Sequence, residues 1–389
     1  MDNEPIKDRI RVLFIVQSLR RAGAETQLVN LVNGLDPKDF DKHLLVFEKQ
    51  VDQLDRVDRE TVRFHQTLRT RRRLDLRLVD QIARVIEENR IDVVHCTLQF
   101  PLLWGWLASA RTTRRPTVIA ALHTTINRDL KSELQDRLLY QWILRRCEGI
   151  IFVCESQKAY WEARYPFLAG RSEVVYNGVD TEWFEPKAFQ GAALRFREQS
   201  GIPADAVLLA SIARFDPEKG QHLLVEACAS LSDSPFHIVF AGDGPLRSEV
   251  ELQARRLDLG ERVRFIGEIS DVRPLLAAAD LLVLPSTAVE TFSMAMLEAL
   301  SMGTPVLGSN IGGMREAVLE NRTGALVEPG DVAALAQKIA SLTADRNRLS
   351  LMGAQGRDLV VGNFSEGLMI ERTASIIRRL NDSAFKTGA

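Results

Sequence analysis

The sequence predicts an α/β protein built from two doubly wound parallel sheets. Its 389 residues exceed what a single hydrophobic core ordinarily organises, so two domains are expected. Short runs rich in valine, isoleucine and leucine alternate with longer helical patterns along nearly the whole chain. These runs are continuously apolar rather than alternating with polar residues, which is typical of strands covered by helices on both faces.

Seven strands are predicted in the first half of the chain. They are expected at residues 11–17, 43–47, 61–65, 92–97, 117–123, 149–154 and 173–177. Helical patterns separate most of them, at residues 25–35, 74–89, 102–111, 131–146 and 156–164. Strand–helix alternation of this kind indicates βαβ units.

The alternation pauses at 177–206, where turn residues and two prolines occur without a strand-like run. Six further strands are then predicted, at residues 207–214, 237–242, 263–267, 281–285, 305–309 and 324–328. From about residue 331 the pattern is helical, with a last amphipathic stretch at 366–380. We therefore predict four segments: an N-terminal domain 1–180, a linker 181–200, a second domain 201–365, and a C-terminal helix 366–389 that can pack back on the first domain.

Composition and charge narrow the functional classes. A net charge of −2 argues against a dedicated nucleic-acid binder, which would usually be strongly basic. The four cysteines have no metal-binding spacing and indicate a reduced, cytoplasmic protein. The first residues lack the long apolar core of a secretory signal, and no apolar run is long enough for a membrane span.

Two cations flank the turn after the predicted strand 207–214. In the segment "RFDPEKG", Arg214 follows the strand and Lys219 stands where a helix begins. Helix N-termini favour anions, and arginine and lysine both bind phosphate. The alternative is that both are solvated loop charges, paired with Asp216 or Glu218.

Other candidates also lie where strands end, the position at which open α/β sheets bind ligands. Gly23 precedes the first helix and either lets the backbone approach a ligand or serves only the turn. His123 ends the strand at 117–123, where a ligand contact and a structural hydrogen bond are equally consistent. Gly242 and Gly244 form a tight turn in "GDGP", which does not match the GxGxxG pattern of dinucleotide cofactors.

Two carboxylates stand in the most apolar part of the chain. Over residues 281–314 only Glu290 and Glu298 are charged, the first in a loop and the second in an apolar helix. Carboxylates in such surroundings need strong donors. The donors can be Arg214 or Arg315 in ion pairs, or the hydroxyls of a ribose or sugar ring.

Taken in order, the motifs resemble those of glycosyltransferase family 4. They are "AGAE" after the first strand, "YNGVD" at the domain junction, "RFDPEKG", "GDGPL" and "PSTAVETFSMAMLEALSMGTPVLGSNIGG". The resemblance covers about residues 10–380, and its strongest element is the Glu-x7-Glu spacing of Glu290 and Glu298. It implies retaining enzymes of GT-B architecture, with two Rossmann-like, doubly wound domains facing across a cleft.

The resemblance also implies roles for the charged residues. Arg214 and Lys219 would grip the diphosphate of a nucleotide-sugar donor, and Glu298 would hold the ribose hydroxyls. Glu290 would touch the transferred sugar. The cations and helix N-termini can stabilise the leaving diphosphate, so no metal or other cofactor is expected. The frequency of donors in the family favours a UDP-sugar over a GDP-sugar.

Several apolar or small residues would complete the donor site in this resemblance. Backbone amides of Phe292 and Ser293 would assist at the sugar, and Ile266 would lie near the base. Gly242 and Gly244 would shape the floor beside the nucleotide.

The first domain would face the acceptor, a glycan or lipid-linked glycan. Gly23 would close against the phosphates, and His123 would contact the sugar from the acceptor side. The segment 39–41 has the Asp-x-Asp spacing of metal-dependent transferases, but its charged surroundings before a strand indicate a solvated turn.

Contact with a membrane is left open. The basic segments 69–77 and 110–115 lie on either side of a helical stretch with Trp104 and Trp106, a combination that suits the anionic inner face of the cytoplasmic membrane. Neighbouring acidic residues allow the alternative of a solvated face.

Two other functional classes compete with a transferase. An NAD-type oxidoreductase would require a GxGxxG turn after a first strand, and this turn is missing. A non-catalytic nucleotide-sugar-binding protein is compatible with the same motifs, although a degenerate sensor would more often have lost a charged site residue.

Overall fold

The computed structural model of the chain describes residues 9–68, 75–124, 136–231, 236–288 and 290–387. Its contacts divide the chain into two units. The first unit consists of Met1–Asn177 with Glu366–Ala389, and the second of Gly178–Ser365.

The first unit contains a parallel sheet of seven strands in the order β3-β2-β1-β4-β5-β6-β7. The strands are β1 (Ile10–Val16), β2 (Phe40–Val46), β3 (Val62–Gln66), β4 (Val93–Thr97), β5 (Thr117–Leu122), β6 (Gly149–Phe152) and β7 (Ser172–Val174). The strand order reverses between β1 and β4, which is where doubly wound sheets open a crevice for ligands.

Within the described residues, five helices connect these strands. They are α1 (Gly23–Gly34), α2 (Leu76–Glu88), α3 (Gln99–Ser109), α4 (Gln141–Leu144), which continues a π-helical turn at Asp136–Tyr140, and α5 (Glu155–Arg164).

The second unit contains a parallel sheet of six strands in the order β10-β9-β8-β11-β12-β13. The strands are β8 (Val207–Ile212), β9 (Phe236–Ala241), β10 (Val263–Phe265), β11 (Leu281–Leu284), β12 (Val306–Ser309) and β13 (Gly324–Val327). The helices are α6 (Gln190–Gln199), α7 (Gln221–Ala229), α8 (Arg247–Arg256), α9 (Arg273–Ala278), α10 (Met294–Ser301), α11 (Met314–Ala317), α12 (Val332–Thr343) and α13 (Arg346–Asn363).

A last helix, α14 (Glu366–Thr387), follows the second unit in sequence but belongs to the first. Met369 and Ile377 join the core that α1 forms with the sheet. Polar contacts add to this packing, since Arg378 binds Asp39 at 2.6 Å. One face of the sheet in the first unit is therefore covered by α1 together with α14.

Strand periodicity explains the two cores of the first unit. Leu13 and Ile15 of β1 face the core that contains α2 and α3, whereas Phe14 and Val16 face α1 and α14. All four side chains are fully buried. Consecutive residues of a strand point to opposite faces, so a continuous apolar run fills both cores.

The thirteen predicted strands are all present, each within a few residues of its expected bounds. Part of the helix predicted at 131–146 lies outside the described residues. The segment 181–200 contains a 3-10 turn at Pro186–Phe189 and the helix α6, which packs against α9. None of the described helices is both long and apolar enough to cross a membrane.

Two sequence expectations are corrected. Of the segment 39–41 only Asp39 lies in the turn in front of the strand, since Phe40 is the buried first residue of β2. Trp104 is not available to a membrane, because its side chain is fully buried against Phe100 in the core. Trp104 faces the core from α3, so that of the two tryptophans only Trp106 is partly exposed.

Two arginines of the basic segment 110–115 form ion pairs on the surface of the first unit. Arg111 binds Asp80 at 2.8 Å, and Arg114 binds Asp92 at 3.1 Å. Most of the other segment, residues 69–74, lies outside the described residues.

Candidate functional site

The turn after β8 carries both predicted cations. Arg214 lies two residues beyond the end of β8, and Lys219 ends a 3-10 turn at Pro217–Lys219. Gly220 then starts α7 with a φ of 67°. A Cβ atom at Gly220 would lie 2.1 Å from the carbonyl oxygen of Pro285, so this close approach of two loops requires glycine.

That approach brings Lys219 to Glu290. Lys219 Nζ donates to Glu290 Oε2 at 2.7 Å, and Ser286 Oγ donates to the same oxygen at 2.9 Å. The Glu290 side chain is 10% exposed and that of Lys219 is 24% exposed. The sequence suggested Arg214 or Arg315 as ion-pair partners of the two carboxylates. Glu290 instead pairs with Lys219.

Arg214 pairs with a different carboxylate. Its side chain is 63% exposed, and its Nε lies 3.2 Å from Asp216 Oδ2. Pairing with Asp216 is one of the alternatives to phosphate binding that the sequence allowed for Arg214. An exposed guanidinium with a single neighbouring acid keeps donors directed to solvent and to any anion that arrives there.

The loop after β12 fixes the backbone that carries Glu290. Gly312 has a φ of 53°, and a Cβ there would lie 1.7 Å from the carbonyl oxygen of Glu290. Gly313 N donates to Thr291 O at 2.7 Å. Sequence reasoning missed both Gly312 and Ser286 as site residues. The signal was available in the paired glycines of "NIGG" directly after a predicted strand.

Helix α10 begins as predicted. Ser293 is its N-cap, and its Oγ accepts a hydrogen bond from Met296 N at 3.4 Å. Phe292 is buried against Phe364, with ring centroids 5.2 Å apart. Glu298 lies in the second turn of the helix, between two buried neighbours, and is partly exposed. Glu298 is therefore a partly exposed acid on an otherwise apolar helix.

The glycine turn after β9 packs on the turn that carries Arg214. Gly242 has a φ of 136°, and a Cβ there would lie 2.1 Å from the carbonyl oxygen of Ala213. Phe215 N donates to Asp243 O at 3.0 Å. At Gly244, with a φ of 156°, a Cβ would lie 2.7 Å from Phe215 N. Both glycines are required by the contact between these two turns.

Ile266 directly follows β10, and its backbone N donates to Phe240 O at 3.0 Å. Gly242 N donates to Gly267 O at 2.7 Å, so the turns after β9 and β10 are also joined. The second unit thus carries nine predicted residues at the carboxyl ends of four adjacent strands, β10, β9, β8 and β11. They are Arg214, Lys219, Gly242, Gly244, Ile266, Glu290, Phe292, Ser293 and Glu298.

The first unit carries the other two predicted residues. Gly23 is the first residue of α1, preceded by the extended Ala22. In the same turn of α1, the buried Glu25 accepts from Arg20 Nε at 3.1 Å. Glu25, near the N-terminus of α1, is thus held by an ion pair with Arg20.

His123 directly follows β5 and lines a cavity of about 40 Å³ together with His95. Burial lowers the pKa of His123 to about 4 and that of His95 to about 3. Both imidazoles are therefore neutral near pH 7. His123 can exchange hydrogen bonds with a hydroxyl, but it adds no positive charge for a phosphate.

No group of three or more histidine, cysteine, aspartate or glutamate side chains in the described part of the chain is arranged to hold a metal ion. The four cysteines are buried, and none of them forms a disulfide. Burial raises the pKa of the Cys228 thiol to about 12, so it is not a nucleophile near neutral pH.

Two family models match the chain over adjacent segments. The model described as "Glycosyltransferase Family 4" matches residues 21–183, and that described as "Glycosyl transferases group 1" matches residues 193–359. The N-acetyl-alpha-D-glucosaminyl L-malate synthase of Bacillus anthracis is 25% identical over 306 residues, which is 78% of each chain.

Solved structures share the fold. A glycosyltransferase from Rickettsia africae superposes with a TM-score of 0.84 at 21% identity, covering 96% of this chain and 99% of its own. The Anabaena protein Alr3699/HepE, solved in complex with UDP, has a TM-score of 0.83 at 22% identity and covers 95% of this chain and all of its own. The same Anabaena protein was also solved with UDP-glucose.

Proposed function

Because the chain belongs to the family 4 and group 1 glycosyltransferases and has the GT-B fold, we propose that it moves a sugar from a nucleoside-diphosphate donor to a glycan or lipid-linked glycan. Transfer retains the configuration at the anomeric carbon and requires no metal ion. The observation that carries this proposal is the cluster of Arg214, Lys219 and Glu290 at the strand ends of the second unit.

The donor binds the second unit through its diphosphate and ribose. Arg214 supplies an exposed fork of donors to the diphosphate, and Lys219 adds a second cation next to the N-terminus of α7. Glu298 accepts the ribose hydroxyls, and Ile266 lies against the base. The amides of Phe292 and Ser293 meet the sugar. The proposed donor is a UDP-sugar rather than a GDP-sugar, on the frequency of donors in the family.

Charge that develops on the leaving diphosphate is stabilised by Arg214 and Lys219. Glu290 stands next to the reacting sugar, but its Oε2 already accepts from Lys219 and Ser286. Two donors on one oxygen lower its nucleophilicity, which favours displacement on one face of the sugar over a covalent intermediate on this carboxylate. His123, neutral at pH 7, exchanges hydrogen bonds with a sugar hydroxyl.

Calorimetry against a panel of UDP-, GDP- and ADP-sugars tests the donor assignment. We expect one base to bind, and Glu298→Ala to lose most of that affinity because a carboxylate that holds two hydroxyls is removed. Asp358→Ala, which removes an exposed acid from α13 in the same unit, is the matched control. Unchanged affinity in Glu298→Ala, with the circular dichroism of the folded protein, would overturn the ribose assignment.

An exposed aromatic and basic surface on the first unit supports a lipid-linked acceptor. Leu138 is 71% exposed and Trp142 is 42% exposed. The guanidinium carbon of Arg146 lies 3.7 Å from the centroid of the Trp142 ring. Apolar side chains with guanidinium groups beside them suit the interface of an anionic bilayer.

Co-sedimentation with anionic vesicles at low and high salt tests this contact. Trp142→Ser is expected to reduce binding, and salt is expected to weaken it. Trp183→Ser is the control, since Trp183 of the second unit is also an exposed tryptophan beside an arginine. The guanidinium carbon of Arg273 lies 3.5 Å from the centroid of its ring. Equal effects of the two variants, or no binding at low salt, would reject the surface.

A further inference from the structure

A small cavity lined by both polar and apolar residues lies in the first unit, between the sheet and the helices α1 and α14. Its volume is about 40 Å³. Its polar lining consists of Gln27, His95, Thr97, His123, Asn177 and Thr373. The cavity therefore joins His123, a predicted site residue, to residues of β4, α1 and α14 that have no assigned role in function.

Strand register explains why the cavity exists. In the pairing of β4 with β5, His95 lies beside Ile119 and Thr97 beside Ala121. Side chains at paired positions of parallel strands point to the same face, so His95, Thr97 and Ala121 form one surface that continues to His123. Alanine is the small residue in this surface, and it leaves space between the polar groups that a larger side chain would fill.

Two polar atoms in this cavity have no partner in the described part of the protein. His95 Nδ1 and Thr97 Oγ1 make no hydrogen bond, although the residues are only 3% and 1% exposed. Buried polar groups are almost always paired, because an unpaired buried donor or acceptor destabilises the folded state. A polar cavity larger than about 10–15 Å³ can hold a water molecule.

We propose that this cavity holds ordered water that bridges His95 and Thr97 to the imidazole of His123, which makes His95 a positioning residue for His123. The proposal rests on the contact of His123 with the sugar that is proposed above. A neutral imidazole has one donor and one acceptor nitrogen. Water that occupies one nitrogen of His123 fixes the tautomer and leaves the other nitrogen for the substrate.

The charge state of both rings supports this arrangement. Burial lowers the pKa of His95 and of His123 far below neutrality, so each ring offers one acceptor to the water near pH 7. Gln27 from α1 and Thr373 from α14 are polar but uncharged. The polar side chains that line the cavity with His123 are therefore uncharged near pH 7.

The first test asks whether the variant Thr97→Val has a higher or a lower melting temperature than the unaltered protein. Thr97→Val keeps the shape of the side chain and removes the hydroxyl. In a dry cavity this change removes an unsatisfied polar group and raises the melting temperature. In a water-filled cavity it removes a hydrogen bond to the water and lowers the melting temperature, which is the result that we expect. A rise would overturn the proposal.

The second test separates positioning from packing. We expect His95→Phe, which fills the space next to Phe14, to lower kcat roughly tenfold or more with little change in donor KM, because small misplacement of a contacting group costs up to about 100-fold. His95→Asn keeps a polar atom near the position of Nδ1 and should recover most of the loss. Equal loss in both variants, or no loss in His95→Phe, would contradict positioning.

Controls keep the failure of this proposal distinct from failure of the proposed function. His43→Phe replaces another fully buried histidine of the same sheet that does not line the cavity, and it should leave kcat unchanged. If His123→Ala retains full turnover, the sugar contact of His123 is wrong. The melting temperature of Thr97→Val still decides whether the cavity holds water in that case.

Discussion

Lys219 Nζ lies 2.7 Å from Glu290 Oε2, so two predicted site residues that are 71 positions apart form an ion pair with each other. The pair is largely buried and takes a third group, the hydroxyl of Ser286. A diphosphate that uses Lys219 must therefore compete with Glu290 or share the cation with it. This competition gives the pair a measurable signature.

Glu290→Gln should bind free UDP more tightly and transfer sugar more slowly. Glutamine keeps the shape but removes the charge that holds Lys219, and a charge-assisted hydrogen bond is worth about 1.5–3 kcal/mol. Calorimetry measures the affinity, and release of UDP in the presence of acceptor measures the rate. Ser286→Ala is the control, since it removes a hydrogen bond to the same oxygen without changing charge. Weaker UDP binding by Glu290→Gln would refute the competition.

Replacement of Arg214 by glutamine should weaken donor binding. Replacement by lysine should weaken it less. The exposed guanidinium offers a planar fork to a diphosphate, which a lysine ammonium cannot reproduce. We expect Arg214→Gln to lose roughly tenfold or more in UDP affinity, the range of one charge-assisted hydrogen bond. Arg214→Lys should fall between this variant and the unaltered protein. Equal affinity in all three would exclude Arg214 from the diphosphate contact.

Gly312→Ala should lower both stability and transfer. Its left-handed backbone costs a non-glycine residue about 1–2 kcal/mol, and the new Cβ would meet the carbonyl oxygen of Glu290. Gly330→Ala is a matched control, because Gly330 has a φ of 83° but nothing within 4 Å of the added Cβ. Urea unfolding should show a larger loss for Gly312→Ala, and only this variant should lose transfer. Equal losses of stability would show that the contact with Glu290 has no role.

Acid should destabilise the first unit before the second. Burial lowers the pKa of His43 and His123 to about 4 and that of His95 to about 3. The unfolded chain takes up these protons first as pH falls below about 6.5, so stability that is present above that pH is lost on the way to about pH 4. Each group contributes up to about 1.4 kcal/mol per pH unit.

Calorimetric melts between pH 7 and pH 4.5 measure this loss. The first unit contains four of the six histidines, so its transition should move to lower temperature more than that of the second unit. His43→Gln should reduce the pH dependence of the first transition. Parallel shifts of the two transitions would contradict the assignment to buried imidazoles.

The strands were predictable because their apolar runs are short, continuous and bounded by turn residues. The pairing of Lys219 with Glu290 was not, because it depends on β8 lying beside β11 although β9 and β10 come between them in sequence. Residue type alone favoured an arginine as the partner of the carboxylate. The burial of Trp104 was missed for a related reason, since the sequence of α3 is apolar on several sides and does not reveal which side meets the sheet.

The return of α14 to the first unit has a consequence for the order in which the protein can fold during synthesis. The second unit is continuous in sequence, but the first is completed only by residues 366 and beyond. A ribosome that has released residues 1–177 has not yet made Met369 or Ile377, which cover the α1 side of the sheet. The emerging N-terminal segment therefore keeps apolar surface exposed, and available to chaperones, until the whole second unit has been translated.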